Sequence, residues 1–197
     1  MSRFLAYLSR LRHIVRWGLK RNTAPENVVE HSWEVAVIAH LLANVRNTYF
    51  GDRLDANAVA AAALFHDASE VLTGDMPSPV KYHSPEITRA YKAIEHRAQL
   101  ELWRQLPPEL QPAYRPLLLD DDLPAAHHEL IKIADTLSAL LKCRHEMRAG
   151  NHEFATALAD IAMRAEKLAE TRPEVRWFLD NCEPAFDMTL DELLAKR

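Results

Sequence analysis

Glycine is scarce in this chain of 197 residues, with only 4 present. That scarcity excludes a glycine-rich phosphate loop, and with many Ala and Leu and few β-branched runs it argues against a sheet-rich fold. Any phosphate has to be held by side chains. Cysteine is scarcer still: Cys143 and Cys182 are far apart and form no CxxC pair. Such usage suits a reducing cytoplasm better than a disulfide scaffold, and both read as packing residues. Long apolar runs are missing too. The longest, near Ala58 to Phe65, is far too short to span a bilayer, and the opening MSRFLAYLSRLRHIVRW lacks the continuous apolar centre of a signal peptide. The expectation is a cytoplasmic protein with no membrane partner. Positive charge is not in excess: 24 basic residues face 28 acidic ones, for a net charge of -4, and no stretch concentrates Lys and Arg. A nucleic-acid polymer is therefore not an expected partner. The length allows one substantial core and is short for two, so residues 1–197 are expected to form a single domain.

What is present is helical periodicity. Phe4, Leu5, Leu8, Leu11, Ile14 and Val15 recur at helical spacing with Arg10, Arg12 and Arg16 between them, which predicts an amphipathic first helix. Val35, Ile38, Ala39, Leu42 and Val45 predict a second from Glu30 to about Arg46, with Asn27 as N-cap. Asp55 or Asn57 can cap a third, Ala-rich and almost wholly apolar helix that runs into Phe65-His66-Asp67. Gly74, Pro77 and Pro79 make Leu72 to Pro79 a loop, and a helix follows from about Pro85 to Leu106. Five prolines from Pro107 to Pro124 predict an irregular stretch with an acidic solvated turn at Asp120 to Asp122. A strong helix from about His127 to Ala149 ends at Gly150 as C′ residue, another covers about Glu153 to Glu170, and short pieces near Glu174 to Asn181 and Leu190 to Ala195 finish the chain. The fold class is an all-α, single-domain helical bundle.

His66 and Asp67 adjoin one another at the end of a nearly all-apolar helix, where an ionisable pair would suffer a large desolvation cost without a partner. A divalent cation would supply one. Asp135 raises the same question between Ala134 and Thr136, in a helix whose inward stripe includes Ile131 and Ala139. His31 opens the second helix in Glu30-His31-Ser32-Trp33, from which an imidazole can reach a site between helix ends. Taken singly, each of these is ordinarily a hydrogen-bonded core or surface residue; the combination points to metal. Two imidazoles and two carboxylates suit one divalent ion such as Mn²⁺, Co²⁺, Fe²⁺, Ni²⁺ or Zn²⁺. Glu70 stands four residues after His66. If the helix continues, both share a face, which makes Glu70 the general acid/base candidate; otherwise it is a surface carboxylate near a helix end.

The order His, His-Asp and a distant Asp resembles the HD-domain superfamily of helical metal-dependent phosphohydrolases. More narrowly, Arg16-Trp17, Glu30-His31-Ser32, the string His66 to Asp75 and Pro77-Ser78-Pro79-Val80-Lys81-Tyr82 resemble the bacterial 5′-deoxynucleotidases of the YfbR type. The resemblance extends from the first helix to at least Glu153. It implies hydrolysis of deoxyribonucleoside 5′-monophosphates, with His31, His66, Asp67 and Asp135 as metal ligands and Glu70 orienting the water or handling its proton. It further implies that Arg16 binds the phosphate, that Trp17 crowds the 2′ position of the sugar, and that Asp75 accepts from the 3′-hydroxyl. Arg16 suits phosphate because a guanidinium engages two oxygens at once, with Lys81 as second choice. Without the resemblance, Arg16 reads as a solvated charge, Trp17 as core and Asp75 as a turn former. A homodimer and broad tolerance of the base are also implied. Rival readings are an HD phosphohydrolase acting on another small phosphate ester, a nucleoside triphosphate or a cyclic dinucleotide, and a non-catalytic nucleotide-sensing module.

Overall fold

The fold, a computed structural model describing residues 2–195, is all-helical; among those residues the only extended pairing is an isolated bridge between Val15 and Asn27. The chain opens with α1 (Phe4–Leu8) and continues as a 3-10 turn from Ser9 to His13. This is shorter than the continuous helix predicted from the apolar spacing. Ser9 Oγ donates to the Ala6 carbonyl at 2.9 Å, taking an acceptor that the helical ladder uses. Ile14 then turns extended, and its carbonyl accepts from Val28 N at 3.0 Å. Arg16 and Trp17 consequently lie beyond the helix, in a loop.

The second helix, α2 (Val28–Tyr49), starts at the expected cap. Asn27 Oδ1 accepts from the amides of Val29 and Glu30, and Glu30 Oε2 accepts from the Asn27 amide, a complete capping box. Val35, Ala39 and Leu42 on its inner face are fully buried. Next comes α3 (Ala56–Ala63), capped by Asp55, which lays Val59, Ala62 and Ala63 against α2. It does not run on through Asp67 as predicted. Ala63 O accepts from both the His66 amide (3.3 Å) and His66 Nδ1 (2.8 Å), so the carbonyl that an α-helix would offer to Asp67 N is already engaged. The chain tightens into a turn from Leu64 to Ser69, and His66 and Asp67 sit on that turn.

Two single-turn helices, α4 (Glu70–Thr73) and α5 (Ser78–Lys81), flank a break at Gly74 to Pro77, where Gly74 has φ +72°. Then α6 (Pro85–Arg104) begins at a Ser84 cap. The proline-rich stretch, predicted to be irregular, holds α7 (Gln111–Leu118). Pro112 sits in the first turn, where no intrahelical N–H is needed, and Pro116 forfeits one bond to the Pro112 carbonyl. Burial offsets that loss: Leu118 is buried, and Tyr114 meets Phe4 at 5.3 Å and Phe65 at 5.9 Å between ring centroids. Asp120–Asp122 form an exposed 3-10 turn.

The longest helix, α8 (Ala125–Arg148), is followed by Gly150 at φ +79°. The chain ends with α9 (Ala155–Ala169), α10 (Pro173–Asn181) and α11 (Leu190–Leu194). The main core lies among α2, α3, α8, α9 and α10 and includes Leu42, Leu130, Leu137, Leu140, Phe154 and Phe178. A smaller cluster of Phe4, Ala68, Leu102, Leu106 and Leu118 packs beside the turn that carries His66. No helix among the described residues is long and apolar enough to cross a membrane.

Candidate metal centre

His31 stands in the first turn of α2 and is almost wholly buried, with its two ring nitrogens in different company. Nδ1 lies 3.3 Å from Glu26 Oε1 and 3.2 Å from Ser138 Oγ. Ser138 Oγ donates to Glu34 Oε2 at 2.6 Å, which leaves its lone pairs to accept from the ring. Nδ1 therefore carries the hydrogen and Nε2 faces inward. His66 is held in the same sense. Its Nδ1 touches a carbonyl, which can only accept, so Nε2 of the neutral ring bears the lone pair.

Both Nε2 atoms are buried and lack a hydrogen-bond partner. They converge on one carboxylate oxygen: Asp67 Oδ2 lies 3.5 Å from His31 Nε2 and 3.2 Å from His66 Nε2. The ligating atoms of His31, His66 and Asp67 all fall within 4.8 Å of one another, and the imidazole centroids are 5.2 Å apart. Two imidazoles with their outer nitrogens fixed by acceptors and their inner lone pairs turned on a carboxylate form a donor set that fits a divalent cation. Asp135 reaches the cluster through His31, with Oδ1 at 3.1 Å from Nε2; its side chain is 46% exposed, less enclosed than the apolar stripe of α8 predicted. Asp135 and Ser138 lie three residues apart on α8 and so address the same imidazole.

The electrostatics reflect carboxylates crowded together in a buried place. Burial alone would lower the His31 pKa, but the carboxylates of Asp135, 3.1 Å from Nε2, and of Glu26, 3.3 Å from Nδ1, outweigh it and raise the group to about 9. Burial likewise opposes ionisation of Asp67; His66, His31 and Arg16 overcome it and hold its pKa well below the usual carboxylate range. Arg16 places its terminal nitrogens 3.2 Å from Asp67 Oδ2 and 3.9 Å from Asp135 Oδ1, while its Nε lies 3.0 Å from Glu26 Oε1.

Glu70 comes to the site by a different route from the one the spacing suggested. The helix breaks, so Glu70 does not share a helical face with His66, yet it is buried at the start of α4 with Oε2 unpartnered. Burial first, then the Asp67 and Asp75 carboxylates, push its pKa up to about 10. Asp75 Oδ2 accepts from the Trp17 amide at 3.2 Å. The Trp17 indole packs on Phe154 with centroids 5.3 Å apart, and it joins the edge of the main core. Lys81 is engaged away from the imidazole cluster: Nζ pairs with Glu95 at 2.8 Å and lies 4.8 Å from the Tyr91 ring centroid.

Glu26 was not singled out by the sequence reading. Its position just ahead of the Asn27 cap gives no periodic or motif signal; only the folded loop shows one carboxylate bridging Arg16 and His31. Glu34 and Ser138 escaped notice for the same reason. Glu34 is the i+3 partner of His31 on α2, a spacing that offered a weak clue.

An all-helical frame around a His, His-Asp and Asp cluster defines an HD-domain phosphohydrolase. The crystal structure of an HD-domain phosphohydrolase from Listeria innocua matches with a TM-score of 0.80 at 27% identity, over 93% of this chain and 88% of that one. The HD phosphohydrolase of cyanophage S-2L, solved bound to dA and one catalytic Zn²⁺, shares the fold with a TM-score of 0.62 at 23% identity, over 91% and 95% of the two chains. A family model described as 5′-deoxynucleotidase YfbR-like matches residues 3–186. A 5′-deoxynucleotidase of Photorhabdus laumondii is 49% identical over 195 residues, which are 98% of this chain and 97% of that protein. The chain belongs to the YfbR-like 5′-deoxynucleotidase family and is, by that membership, a phosphoric monoester hydrolase.

Proposed function

We propose that the cluster around Asp67 hydrolyses deoxyribonucleoside 5′-monophosphates to deoxyribonucleoside and phosphate, with one divalent ion held by His31, His66, Asp67 and Asp135. The observation that carries this reading is the pair of buried, unpartnered Nε2 atoms turned on Asp67 Oδ2. When bound, such an ion polarises a phosphoryl oxygen and acidifies water. Zinc in the cyanophage neighbour supports a transition metal, with Zn²⁺, Co²⁺, Mn²⁺, Fe²⁺ and Ni²⁺ all compatible with the donors. The chain works as one domain, in the cytoplasm, and as a homodimer; the exposed leucines of α11, Leu190, Leu193 and Leu194, offer apolar surface for association.

The chain's own residues divide the remaining work. Arg16 is anchored through Nε on Glu26, which leaves its terminal nitrogens directed at the carboxylate cluster, where phosphoryl oxygens would lie. Hydrolysis breaks the P–O5′ bond, adds the water oxygen to phosphorus and returns one proton to O5′. Glu70, buried with a free Oε2 and a raised pKa, is suited to hold and pass that proton. Trp17 stands against the sugar and crowds the 2′ position, and Asp75 accepts from the 3′-hydroxyl. Lys81, tied to Glu95, contributes to phosphate recognition through its field; its positive charge favours the ionised form of Glu70.

The substrate class is tested by kcat/KM for dAMP, AMP and dATP with the Mn²⁺-loaded protein. The expected order places dAMP above AMP by roughly a hundredfold, the scale on which a pocket rejects one added hydroxyl. Trp17→Ala is expected to narrow that gap to about tenfold while dAMP remains a substrate. Preference for AMP or for dATP overturns the assignment.

A further inference from the structure

Arg16, Trp17 and Glu26 belong to one closed loop. Its neck is the Val15–Asn27 bridge, where Arg16 N donates to Glu26 O at 2.9 Å. The far end of the loop is fastened by a device that the proposed reaction does not use. There Glu146 of α8, fully buried, accepts from Thr23 N (2.9 Å), Thr23 Oγ1 (2.5 Å), Ala24 N (3.2 Å), Asn151 Nδ2 (2.8 Å) and Lys142 Nζ. Lys142 also donates to the Ala24 carbonyl, and Asn151 Nδ2 to the Arg21 carbonyl at 2.7 Å. A buried carboxylate is a costly way to hold a loop that apolar side chains would hold as well. Fully satisfied, it specifies one geometry instead.

The geometry it specifies includes an unusual residue. Among the described residues Trp17 is the one non-glycine with positive φ, at +61°. A bulky side chain stays in the left-handed region only where its surroundings over-determine it, and such residues cluster at functional sites. Trp17 is constrained through its amide by Asp75 (3.2 Å), through its indole by Phe154, and through its carbonyl by the Lys20 amide (2.8 Å). The last constraint depends on the path of the loop from Lys20 to Ala24, which is the part Glu146 and Asn151 hold.

We propose that Glu146, with Lys142 and Asn151, is a positioning residue that keeps Trp17 in its left-handed conformation and thereby sets discrimination between deoxyribose and ribose. Glu146 acts through residues 18–25; its hydrogen-bond partners are Thr23, Ala24, Lys142 and Asn151, and neither imidazole is among them. The inference rests on the placement of Trp17 against the sugar given above.

The test compares kcat/KM for dAMP and AMP in the wild type, Glu146→Gln, Thr23→Val, Thr23→Ser and Trp17→Ala, with Co²⁺ affinity measured for each. Glu146→Gln keeps the shape and removes the charge; its dAMP-to-AMP ratio is expected to fall by about tenfold, equivalent to about 1.4 kcal/mol, with Co²⁺ affinity unchanged. Thr23 is exposed, so Thr23→Val probes the same anchor without threatening the core, and it is expected to move the ratio the same way by a smaller factor. Thr23→Ser keeps the donating hydroxyl and is expected to retain the wild-type ratio. If Trp17→Ala lowers the ratio while Glu146→Gln and Thr23→Val leave it at the wild-type value, the anchor is merely structural and the inference falls alone. If Trp17→Ala also leaves the ratio unchanged, the sugar assignment falls with it.

Discussion

Asp67→Ala is expected to abolish binding of the divalent ion and to lower phosphate release from dAMP by at least about a thousandfold. The magnitude follows from the several kcal/mol of charge stabilisation that a bound cation supplies, at about 1.4 kcal/mol per tenfold. Asp67 Oδ2 is the point on which both inner imidazole nitrogens and Arg16 converge, so no neighbouring oxygen replaces it. Calorimetric titration with Mn²⁺ checks the binding. In the wild type the same titration has a second expected feature: His31, raised to about 9 in the metal-free protein, must give up its proton to ligate. Proton release on metal binding should therefore appear at neutral pH and fade as the pH rises through 9, read from the dependence of heat on buffer ionisation. The linked contribution of His31 to metal-free stability has the matching sign: a raised histidine pKa stabilises the fold fully below about 6.5, its ordinary value, and that contribution is lost as pH climbs through 9. Metal binding to Asp67→Ala at wild-type affinity would remove Asp67 from the ligand set.

Glu70→Ala is expected to separate binding from turnover. The variant should retain Mn²⁺ with nearly wild-type affinity, because Glu70 is not in the group of ligating atoms around Asp67. Turnover of dAMP should drop by about a hundred- to ten-thousandfold, the range for loss of a positioned general acid or base. The loss should fall on kcat rather than on KM, since Arg16 and the imidazole cluster stay in place. Full activity in this variant would dismiss Glu70 from the proton-handling role. In the fold Glu70 keeps its proton up to about pH 10, whereas the unfolded chain releases it near the ordinary carboxyl value, so Glu70 costs stability at neutral pH and the metal-free variant should be no less stable than wild type there.

The helices that were legible in the sequence are those whose ends carry chemistry of their own. Asn27, Asp55 and Gly150 each mark a terminus that the structure keeps, because a cap is a local event that three or four residues decide. Where the backbone answers to distant partners, sequence pattern misled. The first helix was expected to continue to Val15, but pairing of residues 14–16 with residues 26–28 takes that segment out of the helix. In α7 two prolines argued for irregular chain, and packing of Tyr114 on Phe4 and Phe65 decided otherwise.

The site divides in the same way. His31, His66 and Asp67 were legible because ionisable residues at the ends of apolar helices demand a partner, and the structure brings their ligating atoms together. Asp135 was read from the same argument but is half-exposed, and it approaches through His31 rather than as a fourth member of that group. Glu26, Glu34 and Ser138, which fix the orientation of His31, gave little signal because their role exists only across helices. The turn at His66 was invisible for a local reason: the pattern of Ala and Leu continues helically, while one imidazole captures the Ala63 carbonyl and ends the helix.

The central claim is that the imidazole–carboxylate cluster drives phosphomonoester hydrolysis through a bound divalent ion. It is tested most directly by stripping the protein of metal and following phosphate release from dAMP, before and after addition of Mn²⁺ or Co²⁺. Release that is absent from the stripped protein and restored by the ion is the predicted result. Release of phosphate at the same rate with and without metal would contradict the account.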